Sequence, residues 1–151
     1  MSLEAWRDSR LIVEHESSRQ EISELLGIMK TDLKDALIRE LSPDRRLACC
    51  YGALLTVARA ALRAAGYRVP KGTPSHHYYA IQSLQFTVGL DIPVLRQIET
   101  MGKKRLTADY VRVGEASESM VDEGLAFAEE YCRRITDWIR ETHPSLIEES
   151  A

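Results

Sequence analysis

Apolar positions along this chain recur every three or four residues almost from end to end, and nowhere alternate with period two over a useful length. The clearest stretch is Ser42–Arg68, SPDRRLACCYGALLTVARAALRAAGYR, where Leu47, Cys50, Tyr51, Leu54, Ala58, Ala61, Leu62 and Ala65 return at helical spacing. Ser42 suits an N-cap, Pro43 sits where a missing N–H costs nothing, and Asp44 places a negative charge in the first turn. Gly66 fits the left-handed position just past a helix end. The interior is crowded with Ala and other small residues, so neighbours can approach it from several sides. That pattern predicts the central helix of a bundle.

Around it the same period predicts the other elements. Residues 1–16 read as a short, lightly apolar helix carrying Leu3, Trp6, Leu11 and Ile12. Ser18 and Glu21 form a capping box that opens a second helix, striped by Ile22, Leu26, Met29, Leu33 and Leu37 and ending near Leu41. Gly27 inside it costs about 1 kcal/mol, which close helix packing would explain. Pro70, Gly72 and Pro74 fix a loop, and Ser75 caps a helix from His76 to Val88 closed by Gly89. Asp91 and Pro93 open the next, which ends at Gly102 and gives way to the irregular stretch KKRLTADYVRVG. Ser117 or Ser119 caps the last helix, striped by Val121, Leu125, Ala128, Cys132, Ile135 and Ile139 and stopped by Pro144. The expectation is an all-α, up-and-down antiparallel bundle of five or six helices, a single domain over residues 1–151, with no strand.

Composition adds little to this. A chain of 151 residues, 44% apolar and 28% charged, suits one soluble domain with a core that needs no staples. No run approaches the length of a membrane span, and Glu4, Arg7, Asp8 and Arg10 make the N-terminus unlike a secretory signal, so the cytoplasm is the default compartment and no membrane partner is expected. Three cysteines, two of them adjacent (Cys49, Cys50), cannot form a disulfide framework and read as reduced thiols. Charge changes the picture more. Residues 43–113 hold 11 Lys/Arg against 4 Asp/Glu, whereas residues 114–151 hold 3 against 10 and residues 1–42 hold 6 against 9. A basic centre between acidic ends makes either an anion-binding surface or a set of central helices that pair with terminal ones.

The densest candidate chemistry is Lys103–Tyr110. Arg105 can grip a phosphate through two parallel hydrogen bonds while Lys103 and Lys104 supply point charges; the plain alternative is a solvated basic loop after a helix end. His76 and His77 come second. Adjacent helical residues diverge by about 100°, so these two do not make a metal pair, but first-turn histidines can touch a phosphate or a partner chain. Asp32 and Asp35 share a helix face, read here as a solvated one. A Gly-rich phosphate loop, an H-E-x-x-H motif, a nucleophile elbow and zinc-ribbon cysteines are all missing, and neither a metal nor a cofactor is expected.

Taken together, S-P-D-R-R with A-x-x-Y-x-A-L-x-x-x-A-R-A-A-L-x-x-x-G-Y-R, then SHHYYAIQSL, then RLTADY before the last helix, resembles the HEPN helical domains of bacteria over roughly residues 20–140. The resemblance implies an α bundle that commonly forms a homodimer. Many relatives are metal-independent ribonucleases, often toxins paired with an antitoxin or nucleotidyltransferase; others are non-catalytic RNA- or nucleotide-binding modules. The family's active motif is an Arg followed, after four to six residues, by a His, and two motifs meet across the dimer. Arg105 matches the arginine, but Tyr110 stands at the histidine position and Leu106 replaces the usual polar neighbour.

A histidine with a pKa of about 6.5 both takes and gives a proton near neutrality, whereas a phenol at about 10 makes a poor base. Losing such a group costs about 10²–10⁴ in rate, with Asp109 as the nearby substitute base. With the resemblance, the residues lead to the expectation of an RNA- or nucleotide-phosphate-binding bundle with weak or no cleavage, using Lys103, Lys104, Arg105, Arg112, His76 and His77. Its rivals are a toxin-type ribonuclease with Arg105, Tyr110 and Asp109 as catalytic residues, and a bundle built only for protein interaction.

Overall fold

The computed structural model describes residues 1–110 and 116–147, with side chains as far as Lys103 and again from Ala116. Six α-helices lie among the described residues: α1 (Leu3–Asp8), α2 (Arg19–Ala36), α3 (Pro43–Ala64), α4 (His76–Gln82), α5 (Ile92–Tyr110) and α6 (Glu118–Thr142). Two-residue strands β1 (Val13–Glu14) and β2 (Tyr67–Arg68) pair antiparallel, Val13 opposite Arg68 and Glu14 opposite Tyr67. The architecture is the all-α bundle that the periodicity predicts. The strand pair was not foreseen, because two residues are too few to show a period.

The α3 helix is the axis. Ser42 Oγ accepts from the Arg45 N–H at 3.2 Å, and Gly66 beyond the other end has φ 97°. The helix packs against α2, α4, α5 and α6, and its side chains from Ala53 to Ala58 are all buried. Contrary to the expectation that no run suits a membrane, α3 is long and apolar enough to span one by length and composition. Most of that surface is covered by the other helices, so the bundle itself accounts for the hydropathy.

Two polar groups near the start of α3 fasten it to its neighbours. Arg46 is buried, donating from Nε to the Ala36 carbonyl (2.8 Å) and from Nη1 to Glu118 Oε2 (2.9 Å), so it ties the end of α2 to the start of α6. Asp44 Oδ1 accepts from the Ala116 N–H at 3.1 Å. Both are long-range contacts, and each satisfies a backbone group that burial would otherwise leave expensive to desolvate.

The first 16 residues are less helical than expected. After α1 the chain turns at Arg10 (φ 63°) into β1. Trp6, Ile12 and Leu62 form a second, smaller core, with Trp6 edge-on to Tyr79 (5.7 Å between centroids) and Phe86 (5.0 Å). The N-terminal segment thereby clamps β2 and α4 against the last turns of α3.

Several boundaries differ from the expectation for identifiable reasons. The α5 helix does not end at Gly102 but continues to Tyr110, so Lys103, Lys104, Arg105, Asp109 and Tyr110 lie on a helix and not in an irregular stretch. Gly102 is there for space: a Cβ at that position would stand 2.8 Å from Tyr51 Cε2. At Gly27, by contrast, a Cβ would meet nothing within 4 Å, so close packing does not explain that glycine. Ser18 Oγ caps Glu21 N–H (3.1 Å) as expected, and Ser117 Oγ caps Met120 N–H (3.2 Å). Ser75 makes no side-chain cap and adopts a left-handed backbone (φ 60°); its helix stops at Gln82, followed by a 3-10 turn over Ser83–Gln85.

The two glycines predict opposite signs. Gly27→Ala should gain about 0.5–1 kcal/mol in urea unfolding by removing backbone freedom from an exposed helical site. Gly102→Ala should lose about 1–3 kcal/mol by overpacking against Tyr51.

Candidate functional site

The last two turns of α3 carry Arg59 and Arg63, four residues apart and therefore on one side of the helix. Beyond Gly66 the chain reverses into β2, which presents Arg68 and is held by β1 and by the His15 N–H on the Gly66 carbonyl (2.8 Å). A tight turn follows: the Thr73 N–H (3.2 Å) and hydroxyl (2.7 Å) both donate to the Pro70 carbonyl. Gly72 (φ 78°) and Ser75 are left-handed, and His76 opens α4. These pieces enclose a cavity of about 340 Å³ with Arg59, Arg63, Arg68, Lys71 and His76 around it and an apolar wall that includes Leu62 and Val69.

The cleft is strongly and unevenly charged. Arg59 Nη2 donates to His76 Nδ1 at 3.1 Å. A guanidinium has no acceptor, so Nδ1 accepts and the neutral ring keeps its proton on Nε2. Burial, and next the adjacent charge of Arg63, push the Arg59 pKa below its ordinary value. Arg63 Nη1 meets Glu21 Oε1 at 2.5 Å, and the same carboxylate takes His15 Nε2 at 2.8 and 2.9 Å. Burial alone would raise the Glu21 pKa; the hydrogen bonds from His15 and Arg63 outweigh it and hold the carboxyl below the usual range. Glu21 is thus drawn away from the reciprocal half of its capping box.

Among the described residues, Arg59, Arg68 and Lys71 have no carboxylate within 4 Å, and no acidic residue lines the cavity. A partly desolvated, like-charged arginine pair with two more cations beside it stands under-neutralised and attracts an anion. The guanidinium forks match phosphate geometry.

Of the residues singled out from the sequence, His76 is on this cleft, exposed, while His77 turns inward, its ring 6.3 Å from that of Tyr51. Gly102 packs on the same Tyr51 ring, so this tyrosine lies between α4 and the part of α5 that leads into the basic run. Lys103 is exposed on α5. The side chains of Lys104, Arg105, Asp109 and Tyr110 lie outside the described residues, as does Arg112 altogether. Arg59, Arg63, Arg68 and Lys71 escaped the sequence reading. The signal was present as two arginines at helical spacing inside an otherwise Ala- and Leu-rich run, but the turn that adds Arg68 and Lys71 to them is a tertiary feature.

Asp32 and Asp35 do share a face of α2, and Cys49 of α3 joins them, with potential ligand atoms within 4.8 Å of one another. Burial, and next the charge of Asp35, push the Asp32 pKa up; burial, and next the charges of Asp32 and Asp35, push the Cys49 thiol up. Cys50 and Cys132 are free and buried, each pushed up to about 12, first by burial.

Comparison with known protein families and with curated proteins finds no match for this chain.

Since the Glu21 pKa is lowered by folding, its contribution to stability is present above the unfolded value of about 4.3 and is lost as pH falls through the lower folded value. Glu21→Gln should cost about 1–3 kcal/mol at pH 7 and progressively less as pH is lowered below about 4.3, read from urea unfolding across that range.

Proposed function

We propose that this chain is a phosphate-binding helical bundle whose ligand is an RNA or a nucleotide, held at the cleft between the end of α3, β2 and the start of α4. The observation that carries the reading is the convergence of Arg59, Arg63, Arg68 and Lys71 on one cavity with Glu21 as the sole carboxylate paired to any of them among the described residues. The HEPN-like order of motifs supports RNA or nucleotide as the phosphate's bearer. A homodimer, a cytoplasmic setting that keeps the three cysteines reduced, and an antitoxin or nucleotidyltransferase partner belong to the same reading.

Binding carried by these cations depends on salt. For a labelled single-stranded RNA, the slope of log K against log salt should flatten by about 0.7 when Arg68→Gln removes one phosphate contact, and affinity should fall at every salt concentration. Equal affinity and slope for the wild type and for Arg59→Gln and Arg68→Gln would remove the cleft from the account. RNA fragments that persist in EDTA and vanish with Arg105→Ala would make the chain the metal-independent ribonuclease instead.

A further inference from the structure

The cleft's charge and size say which kind of phosphate it takes. Four cationic side chains surround a cavity of about 340 Å³, and the Glu21 carboxylate neutralises only one of them. With the His76 ring neutral, an excess of three positive charges remains at one place. An internal phosphodiester brings a single negative charge and would leave most of this excess unpaired in a partly desolvated pocket. A terminal phosphate brings about 1.5–2 negative charges at neutral pH, and a di- or triphosphate brings more.

Size agrees. At the small end of the range for ligand pockets, about 300–1,000 Å³, the cavity has room for one compact polyanion or chain end. A strand read along its length needs instead a groove that tracks successive phosphates. The arginines also stand ready for the unshared oxygens of an end group. Arg59 spends one donor on His76 and none on a carboxylate, and the neutral His76 keeps an Nε2–H donor for the cleft's rim. The apolar wall formed by Leu25, Leu62, Val69 and Pro70 lies against these cations and can cover the uncharged part of the same ligand.

We infer that the cleft is an end-phosphate site: it binds the terminal phosphate, or the di- or triphosphate, of a phosphorylated ligand in preference to a phosphodiester within a strand. This rests on the phosphate-binding reading above and narrows it. The shared chemistry, a clustered polyanion, has two sources, the 5′ end of an RNA and a free nucleotide.

The test measures fluorescence anisotropy of one short RNA, labelled at its 3′ end and carrying a 5′-hydroxyl, a 5′-monophosphate or a 5′-triphosphate, alongside calorimetry with ATP, pyrophosphate and adenosine. The 5′-phosphorylated strands should bind about 10- to 100-fold tighter than the 5′-hydroxyl strand, the range expected of hydrogen bonds to charged groups. That advantage should largely disappear in Arg59→Gln and in Lys71→Gln. Lys71 is exposed on the turn, so its variant keeps the test informative if loss of Arg59 disturbs folding. Tight, Arg59-dependent binding of ATP and pyrophosphate but not adenosine, without RNA binding, supports the same site with a free nucleotide as its source. Equal affinity for hydroxyl and phosphorylated ends, lost together in Arg59→Gln, overturns the end-phosphate inference and leaves RNA binding standing. No binding of RNA, ATP or pyrophosphate overturns both.

Discussion

Everything in this molecule depends on how completely α3 is enclosed. A helix touched on several sides by α2, α4, α5 and α6 needs small side chains where its neighbours come near, and Ala53, Ala58, Ala60 and Ala61 are all without exposed surface. Such a helix has few ways to place a charge. Arg46 does it by burying the guanidinium and spending it on the Ala36 carbonyl and Glu118. Arg59 and Arg63 do it by lying where the enclosure opens, and there the cost of holding two like charges close together is left for something else to offset. Glu21 offsets part of it; the remainder defines the cleft.

The enclosure also explains why the N-terminal segment matters to a site it does not enter. Trp6 and Ile12 pack on Leu62 of α3, and Trp6 meets Tyr79 and Phe86 edge-on. The same segment supplies β1, whose pairing holds Arg68 beside the arginines of α3. A short, lightly apolar stretch thus holds the end of α3 and the strand that follows it in place around the cleft. Ser17 adds a further tie, its hydroxyl donating to the Arg63 carbonyl at 2.7 Å.

What could be read from the sequence follows the range of the forces involved. The limits of α3 were legible because Ser42, Pro43 and Gly66 act through their own backbone and the next turn. Ser18 was legible for the same reason, and the cap of α6 was legible only as Ser117 or Ser119, of which Ser117 makes it. Gly102 was misread because the absent Cβ serves two purposes, a left-handed turn or a close approach, and only the position of Tyr51 decides between them. Glu21 was half legible: its N–H is capped as expected, but its carboxylate goes to His15 and Arg63, one of them 42 residues away in sequence. The cationic character of the middle of the chain was legible, and the convergence of Arg59, Arg63, Arg68 and Lys71 on one cavity was not. The excess of cations between residues 43 and 113 fits either an anion-binding surface or pairing with the acidic ends, and its densest run in sequence, Lys103–Tyr110, lies beyond Lys103 outside the described side chains. Arg59, Arg63, Arg68 and Lys71 are spread over 13 residues and meet only because Gly66 and the Pro70–Thr73 turn fold the chain back.

On the function proposed above, the arginines of this cleft, and not those elsewhere in the bundle, receive the phosphate. This is tested most directly by NMR of the arginine side-chain N–H groups while pyrophosphate is added. The Nε resonances of Arg59 and Arg63 should shift together and saturate with the ligand, while that of Arg46, buried and already paired, stays in place. Shifts confined to arginines outside the cleft, or none up to millimolar pyrophosphate, would contradict the account.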